Sequence, residues 1–247
     1  MAAEDDLRFA HRLADTADAI TMRRFRALDL RVDTKPDLTP ASEADTAAEE
    51  AVRALVRSRG EAVLGEEAGG EVGDSFWIVD PIDGTKNYVR GMRVWGTLLA
   101  VQREGVVQCA LASAPALGQR WWATRGGGAY ADGKRCLVSK ISRLEDAYVS
   151  LIVGRDRSRG LAELHARAWS AQALGGFWQH VLVAEGVVDV AYQPRPRIWD
   201  YAAATLIVEE AGGRATTSDG ARPAEDVPYV TTNGRLHDEV IGLLARR

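Results

Sequence analysis

The stretch WIVDPIDGTKNYVRG, residues 77–91, decides how the rest of the chain is interpreted. An apolar run ends on Asp80, Pro-Ile follows, and a second carboxylate, Asp83, stands directly before Gly-Thr. Pro81 fixes its own φ and favours extended backbone at the residue before it, so both carboxylates can face one pocket. The backbone carbonyl of Ile82 can join them. Oxygen ligands of this kind are those that Mg²⁺ prefers, and the stretch therefore predicts a metal site.

The residues after Asp83 add a site for an anion. Gly84 allows the backbone to approach a ligand closely. Residues 85–88 are predicted to open a helix whose first N–H groups would hold an anion, most naturally phosphate. Metal ligands beside such a helix start are typical of phosphoryl transfer, in which two ions about 3.5–4 Å apart stabilise the attacking and leaving oxygens.

Further acidic residues stand at the ends of other predicted elements. Glu66 and Glu67 follow a short strand, Asp200 begins a helix, and Asp45 lies in a helix with Glu49 one turn later. Taken singly, each has an ordinary structural explanation: Asp-Pro and Asp-Gly form turns, and an acid in a first helical turn favours the helix dipole. Their joint order along the chain favours the metal site.

Composition excludes several other classes of protein. The chain has 247 residues, of which 46% are hydrophobic, enough for one large domain or two closely packed ones. A formal net charge of −4 argues against nucleic-acid or anionic-membrane binding. Two cysteines are too few for a disulfide scaffold or a structural zinc site, so both are expected to be reduced. Without a signal peptide or an apolar span, we expect a soluble, cytoplasmic protein.

The periodicity of apolar residues predicts two halves of different rhythm. In the first half we expect helices at 7–28 and 42–59, a loop or short hairpin at 31–40, strands at 62–65 and 75–79, and then a largely antiparallel sheet over 94–135. In the second half we expect strands at 147–153, 187–192 and 228–232 and helices at 177–186, 200–213, 236–247 and from 161. We divide the chain at residues 1–144 and 145–247, with a ligand cleft between the parts.

Several of these motifs together carry a family resemblance. They are KPDLTPASEAD (35–45), GEE (65–67), DPIDGTKNYVRG (80–91) and WDYAAATLIVEEAGG (199–213). This set resembles the inositol monophosphatase family over nearly the whole chain, and is most similar to its bacterial histidinol-phosphate phosphatase branch. The resemblance implies an α/β (α+β) fold, a layered αβαβα sandwich of the inositol monophosphatase and fructose-1,6-bisphosphatase type. It also implies a homodimer and two or three Mg²⁺ ions per active site.

The resemblance also assigns roles to residues of this chain. Hydrolysis of a small phosphorylated metabolite would proceed by in-line attack of a metal-activated water, without a covalent intermediate. Asp45 and Thr85 would orient that water, and Asp83, Gly84 and Thr85 would contact the phosphate. The implied neighbours of the metals are Glu66, Asp80, the Ile82 carbonyl and Thr85 for the first ion, Asp80, Asp83 and Asp200 for the second, and Glu66, through water, for a third.

The substrate-binding residues are predicted in the second half, at Gly175, Gly176, Phe177, Glu185, Gln193 and Asp200. The histidinol-phosphate branch usually has an aspartate where Gly176 stands and a glutamate where Gln193 stands. Loss of two carboxylates removes roughly 1.5–3 kcal/mol each of charge-assisted binding to a cationic substrate. We therefore favour a nucleoside 5′-monophosphate or a sugar phosphate of a specialised pathway. Phe177, Trp178, Tyr192 and Trp95 either stack on such a substrate or belong to the core.

Four alternatives remain open from sequence. The enzyme would act on histidinol phosphate, on inositol 1-phosphate, or on a bisphosphate held by arginines at 155, 157, 159, 195 and 197, or the protein would bind metal and phosphate without catalysis. Whether Arg195 and Arg197 contact substrate is not determined by sequence. No histidine lies in the motifs, and none is given a catalytic role.

Overall fold

In a computed structural model, the chain is described at residues 2–35, 38–70, 72–154 and 158–246. The helices over these residues are α1 (Ala2–Arg24), α2 (Glu43–Ser58), α3 (Thr85–Val89), α4 (Arg159–Arg167), α5 (Gly176–Ala184), α6 (Ile198–Glu210) and α7 (His237–Leu244). The strands are β1 (Val32–Thr34), β2 (Pro40–Ser42), β3 (Ala62–Gly65), β4 (Phe76–Asp83), β5 (Gly96–Arg103), β6 (Val106–Ala114), β7 (Gln119–Thr124), β8 (Gly128–Ala131), β9 (Lys134–Arg135), β10 (Tyr148–Leu151), β11 (Ser170–Gln172), β12 (Val190–Gln193), β13 (Arg214–Thr217) and β14 (Tyr229–Thr232).

Two large sheets carry the fold. The seven-stranded sheet has the order β3-β4-β5-β6-β7-β8-β9, in which β3 and β4 are parallel and the other neighbours antiparallel. The five-stranded sheet has the order β11-β10-β12-β14-β13, with β10 parallel to both of its neighbours. The predicted antiparallel sheet of the first half is thereby confirmed, and the proposed boundary near residue 144 lies between the two sheets.

The side chains of β4 show how helices cover both faces of the first sheet. Trp77 and Val79 point into a buried cluster with α1 and α2. Phe76 and Ile78, on the opposite face, belong to the cluster formed with α5 and α6. Alternate residues of a strand face opposite sides of a sheet, which accounts for this division.

The remaining layers complete the sandwich. Tyr229 of the second sheet packs with Ala204 of α6, so that the α5–α6 layer lies between the two sheets. The far face of the second sheet is covered by α4 and α7, through Leu164 and Leu243. The order is therefore helices, sheet, helices, sheet, helices, and the expected αβαβα architecture is confirmed.

The N-terminal helix differs at both ends from the predicted range of 7–28. It starts at Ala2, where Glu4 and Asp5 place negative charge in the first turn and favour the helix dipole. It ends at Arg24 because Arg26 adopts a left-handed φ of 63°. The polar stretch that follows forms the antiparallel β1–β2 pair. The loop of that hairpin includes residues 36 and 37, which lie outside the described residues.

The largest difference in the first half concerns β4. We expect a strand that stops at Asp80, but the strand continues to Asp83. The pairing with β5 is irregular between Asp80 and Asp83, and the Ile82 side chain is fully buried. The stretch thus places its two carboxylates on either side of a bulge within a buried strand. Apolar contact by Ile82 explains why the chain does not leave the sheet at Asp80.

Sequence reasoning missed β11 and β13 in the second half, and also a 3₁₀ turn at Leu144–Asp146, although it found the other strands and the α-helices there. β11 and β13 are edge strands of the second sheet, and each has three or four residues. An edge strand pairs on one side only and needs no apolar run, so its sequence carries little periodic signal.

Two simpler expectations concern the cysteines and the membrane. Cys109 and Cys136 are both free thiols, as predicted, and both are buried. No helix over the described residues combines the length and the apolar character that crossing a bilayer requires.

Candidate active site

Three carboxylates from two elements converge beneath a surface cavity. Asp80 and Asp83 come from the bulged end of β4, and Asp200 comes from the first turn of α6. One carboxylate oxygen of each lies within 4.8 Å of the corresponding oxygens of the other two. The structure therefore brings together three residues that sequence analysis predicted as metal ligands.

Local hydrogen bonds fix the bulge that aims the first two carboxylates. The Ile82 N–H donates to Asp80 Oδ1 at 2.9 Å, closing a tight turn of the backbone. The buried hydroxyl of Thr97, on the neighbouring strand, donates to the Pro81 carbonyl at 2.8 Å. These bonds hold the DPID segment in one conformation, although Pro81 itself has no N–H to offer the sheet.

Asp83 is held by the N-terminal end of α5. The Phe177 N–H donates to Asp83 Oδ2. Gly176 stands immediately before Phe177 with a φ of 51°, and a Cβ built on it would lie 2.6 Å from Asp83 Oδ2. The approach of α5 to Asp83 therefore requires glycine at position 176.

Asp200 is oriented by its own helix. Its Oδ2 accepts a hydrogen bond from the Arg197 N–H at 2.7 Å, which satisfies one of the free donors at the start of α6. Asp200 can stabilise the start of α6 and also bind a metal, because this hydrogen bond engages only one of its two carboxylate oxygens.

Glu66 and Glu67 lie beside this cluster, and the ammonium group of Lys35 forms an ion pair with each of them. Lys35 Nζ is 2.8 Å from Glu66 Oε1 and 2.6 Å from Glu67 Oε1. Burial alone would lower the pKa of Lys35, but its hydrogen bonds to both glutamates outweigh that effect and raise the pKa above its usual value. The Lys35 ammonium thus offsets part of the negative charge at this side of the site.

Glu49 is a positioning residue whose role sequence reasoning missed. Its buried carboxylate accepts hydrogen bonds from the backbone N–H of Glu67 at 2.7 Å and of Ala68 at 3.0 Å, and it pairs with Arg53 at 2.6 Å. A Cβ on Gly65 would lie 2.3 Å from the Glu49 carboxyl carbon. Glu49 therefore holds the Gly-Glu-Glu turn against α2. The signal in the sequence was its place one helical turn after Asp45.

Asp45 and Thr85, to which the family resemblance gives a shared role, lie within hydrogen-bond distance of each other. Asp45 Oδ2 accepts from the Ser42 N–H at 2.8 Å and from the Ser42 hydroxyl at 2.5 Å, in a capping box at the start of α2. Its other oxygen, Oδ1, lies 3.3 Å from Thr85 Oγ1, which is also 3.0 Å from the Ile82 carbonyl oxygen. Thr85 is thereby fixed between an acid and a backbone carbonyl at the start of α3.

The electrostatics of the acidic cluster favour a bound cation. Burial, followed by the charges of neighbouring acids, raises the pKa of Asp80 well above its ordinary value. The same two causes raise the pKa of Asp83 to about 6 and that of Asp200 to about 8. Closely spaced carboxylates repel one another unless a positive charge lies between them. The donor set, made only of oxygens, fits a hard divalent ion such as Mg²⁺.

A cavity of about 610 Å³ opens above the carboxylates. Its floor contains Glu66, Asp80, Asp83, Thr85 and Asp200, together with Ile82 and Gly84. The other lining residues are Thr39 and Pro40, from the β1–β2 region, and Lys35, Lys86, Gln193, Pro194, Arg195, Arg197 and Trp199. Arg195 and Arg197 therefore lie at the site, a point that sequence alone left open.

The structure does not bring Glu185 into this cavity. Glu185 follows the last turn of α5, about 14 Å along the helix axis from Gly176 at 1.5 Å per residue. Its Oε1 accepts a hydrogen bond from the Trp121 indole N–H at 2.6 Å. The neighbours of Glu185 thus give it a role in packing the interior, and its predicted contact with substrate has no support in this arrangement.

The aromatic residues proposed to stack on substrate belong instead to the interior. Phe177, Tyr192 and Trp95 are each at most 2% exposed. Phe177 packs edge-on against Trp121, and Trp95 packs edge-on against Tyr88. The core interpretation is therefore the correct one for these three. Trp199 is the one aromatic residue among the described residues that line the cavity. Sequence analysis noted it only as the neighbour of Asp200.

Comparison with known proteins gives this arrangement its context. The pattern of the family described as "Inositol monophosphatase family" matches residues 3–246. The chain belongs to the inositol monophosphatase family. Histidinol-phosphatases of Streptomyces coelicolor and Mycobacterium tuberculosis are 49% and 48% identical to it, over 98% and 97% of both chains. An inositol monophosphatase structure from Thermotoga maritima is 30% identical, with a TM-score of 0.90 over 98% of this chain and 97% of that one.

Family membership settles the class of the protein. Proteins of the inositol monophosphatase family are metal-dependent phosphatases that act on small phosphorylated substrates. The chain is accordingly a phosphoric monoester hydrolase, and the predicted resemblance to the histidinol-phosphatase branch is confirmed. The alternative of a protein that binds metal and phosphate without catalysis is set aside.

Glu49→Gln is expected to weaken Mg²⁺ binding by about 10–100-fold, since outer residues that orient a metal site have effects of this size. Glutamine keeps one acceptor oxygen but turns an –NH₂ group toward the N–H of Glu67 or Ala68, and the turn that carries Glu66 loosens. Titration of Mg²⁺ by calorimetry measures the change. Glu50→Gln, one residue along α2 and exposed, is the matched control. Equal affinity in both variants would contradict the positioning role.

Proposed function

We propose that this family member hydrolyses the phosphate monoester of a small metabolite at the Asp80–Asp83–Asp200 cluster, with Mg²⁺ as the required ion. The observation that carries the proposal is the convergence of these three carboxylates beneath a cavity that also contains Thr85. Asp80, Asp83, Asp200, Glu66 and the Ile82 carbonyl would hold two or three ions. When bound, Mg²⁺ lowers the pKa of water and offsets the charge of the phosphoryl oxygens.

The residues of the chain supply orientation. In this proposal the Thr85 hydroxyl donates to Asp45 Oδ1, and its oxygen accepts a hydrogen bond from the attacking water. As the water attacks, its proton passes to Thr85 Oγ1 while the hydroxyl proton passes to the Asp45 carboxylate, so that Asp45 is the final proton acceptor. The backbone N–H groups of Gly84 and Thr85 would donate to the phosphate, next to Asp83. Attack in line with the leaving oxygen then needs no covalent intermediate on the protein.

We further propose a nucleoside 5′-monophosphate or a sugar phosphate as the substrate. The support is chemical: Gln193, which lines the cavity, is uncharged, and the other groups that line its outer part are cationic or neutral. Gly175 and Gly176, predicted to bind substrate, are not among the described residues that line the cavity. A cationic leaving group such as histidinol, which carries an ammonium and an imidazole, finds no additional carboxylate among the described lining residues. Trp199 is the aromatic surface available to a base or a sugar ring.

Histidinol phosphate is the second candidate substrate. Identity of nearly one half to two proteins named histidinol-phosphatase, over almost the whole length, favours it directly. Inositol 1-phosphate is a weaker alternative. The bisphosphatase hypothesis depends partly on Arg155 and Arg157, which lie outside the described residues. A homodimer and a cytoplasmic location remain predictions, of which sedimentation tests the first.

Phosphate release from a panel of esters tests the proposed function. Histidinol phosphate, inositol 1-phosphate, adenosine 5′-monophosphate, several sugar phosphates and fructose 1,6-bisphosphate are compared by kcat/KM with Mg²⁺ and with EDTA. We expect turnover that requires Mg²⁺ and is fastest on a nucleotide or sugar phosphate. The fastest turnover on histidinol phosphate would overturn the substrate assignment alone, and no Mg²⁺-dependent release from any ester would overturn the site.

A further inference from the structure

A buried histidine lies directly behind one residue of the outer cavity. Gln193, at the end of β12, lines the cavity, and its Oε1 lies 3.0 Å from Nε2 of His180. His180 belongs to α5 and has no exposed surface. Its other ring nitrogen, Nδ1, lies 2.8 Å from the hydroxyl of Thr231 in the second sheet. The imidazole therefore bridges the interior of the second sheet and the wall of the active site.

The protonation of His180 follows from its surroundings. Burial lowers its pKa to about 4, so the ring is neutral at physiological pH and carries one N–H. The shorter of the two contacts at Nε2 is with Gln193 Oε1, an acceptor. The Gln179 amide nitrogen lies farther away, at 3.3 Å, and also has the Tyr192 carbonyl as an acceptor at 3.3 Å. This pattern assigns the N–H to Nε2 and leaves Nδ1 to accept from the Thr231 hydroxyl.

We propose that His180, in the Nε2–H tautomer, turns the amide oxygen of Gln193 into the protein, so that Gln193 offers only N–H donors to the leaving-group portion of the substrate. A glutamine amide has two acceptor lone pairs and two donor hydrogens, and orientation decides which set reaches a ligand. The favoured leaving group then bears an acceptor, such as a hydroxyl, a carbonyl or a ring nitrogen. A cationic group is disfavoured. This inference rests on the proposed function and defines the chemistry of its substrate.

The charges around Gln193 also disfavour a cationic leaving group. Arg195 and Arg197 line the same cavity, and both are exposed at its rim. Arg197 is partly offset by Glu225 at 3.3 Å and Asp226 at 3.6 Å. Among the described residues that line the cavity, the acids are Glu66, Asp80, Asp83 and Asp200, which are the proposed metal ligands. The leaving-group side is therefore rich in donors and positive charge.

The tautomer of His180 is measured without any substrate. Long-range ¹H–¹⁵N correlation on histidine-labelled protein distinguishes protonated from unprotonated ring nitrogens, and His180→Gln assigns the signal by its disappearance. We expect Nε2 protonated and Nδ1 unprotonated near pH 7. The opposite tautomer would overturn the inference, because Nε2 would then be a hydrogen-bond acceptor and Gln193 would have to turn its –NH₂ toward the ring.

Substrate preference provides the second test. In Gln193→Glu, the carboxylate still accepts from His180 Nε2–H but also presents an anionic oxygen to the cavity. We expect the ratio of kcat/KM for histidinol phosphate to that for adenosine 5′-monophosphate to rise at least tenfold over the wild-type ratio. His165→Gln, an exposed histidine of α4, controls for substitution as such and leaves the ratio unchanged.

The outcomes separate this inference from the proposed function. A ratio that does not change in Gln193→Glu, while both variants turn over phosphate esters, would overturn the role of Gln193 and leave the metal site intact. Absence of phosphate release from the wild-type protein would overturn the proposed function, whereas the tautomer measurement would still report on His180.

Discussion

Asp83→Asn is expected to lower kcat for every phosphate ester by about 10²-fold or more, because an amide replaces a ligand shared by the proposed metals and the phosphate site. Asp83 joins three parts of the fold at one carboxylate. It ends β4, lies within 4.8 Å of the oxygens of Asp80 and Asp200, and accepts the N–H of Phe177 at the start of α5.

Asparagine cannot satisfy these neighbours together. One of its two terminal atoms is a nitrogen that bears hydrogens and has no lone pair for a cation. If the oxygen faces Phe177, the –NH₂ faces the metal; if the oxygen faces the metal, two donors oppose each other at α5. The shape of the side chain is nearly conserved, so the substitution tests charge and coordination more than packing.

Phosphate release and thermal unfolding with and without Mg²⁺ together measure this effect. We expect Mg²⁺ to raise the melting temperature of the wild-type protein, because a ligand that binds only the folded state stabilises it. The rise should be smaller in Asp83→Asn. Asp132→Asn is the matched control, since Asp132 lies in the exposed β8–β9 turn with a φ of 47° that asparagine tolerates. Wild-type activity in Asp83→Asn would contradict the assignment of Asp83 as a metal ligand.

The convergence of Asp80, Asp83 and Asp200 could be predicted from sequence because their signals are local. Asp80 and Asp83 share one strand end, and the place of Asp200 at a helix start is visible in the pattern around it. Even so, the continuation of β4 to Asp83 was missed, because it depends on burial of Ile82 beneath other elements. Short-range chemistry thus identified the residues, and tertiary contact determined their geometry.

Residues that act through distant partners were beyond sequence reasoning. Glu49 binds backbone N–H groups 18 or more positions away in the chain, and Glu185 meets Trp121 on another element. The burial of Phe177 between α5 and the first sheet, and that of Tyr192 beneath α4 and α7, are likewise set by tertiary packing. An aromatic side chain has the same sequence signal whether it packs in a core or faces a ligand. The residues proposed to contact the leaving group were therefore predicted less well than the residues of the acidic cluster.

Gly176→Ala is expected to lower kcat by about 10²-fold, the effect of displacing a catalytic group by about 1 Å. The new Cβ would lie 2.6 Å from Asp83 Oδ2, well inside van der Waals contact. Either the carboxylate turns away from Asp80 and Asp200, or the start of α5 moves out and the Phe177 N–H loses its acceptor. In the first case Asp83 leaves the cluster, and in the second it loses the hydrogen bond from Phe177 that orients it. The charge of the cluster is unchanged in both.

Backbone strain must be separated from this collision. An alanine at a φ of 51° also costs about 1–2 kcal/mol relative to glycine, whatever the surrounding space. Gly118→Ala provides the matched control, because Gly118 has a φ of 69° and no atom within 4 Å of a built Cβ. Both variants should lose similar stability in urea, and only Gly176→Ala should lose activity and Mg²⁺ affinity. If the two variants kept equal kcat, the contact between α5 and Asp83 would have no catalytic consequence.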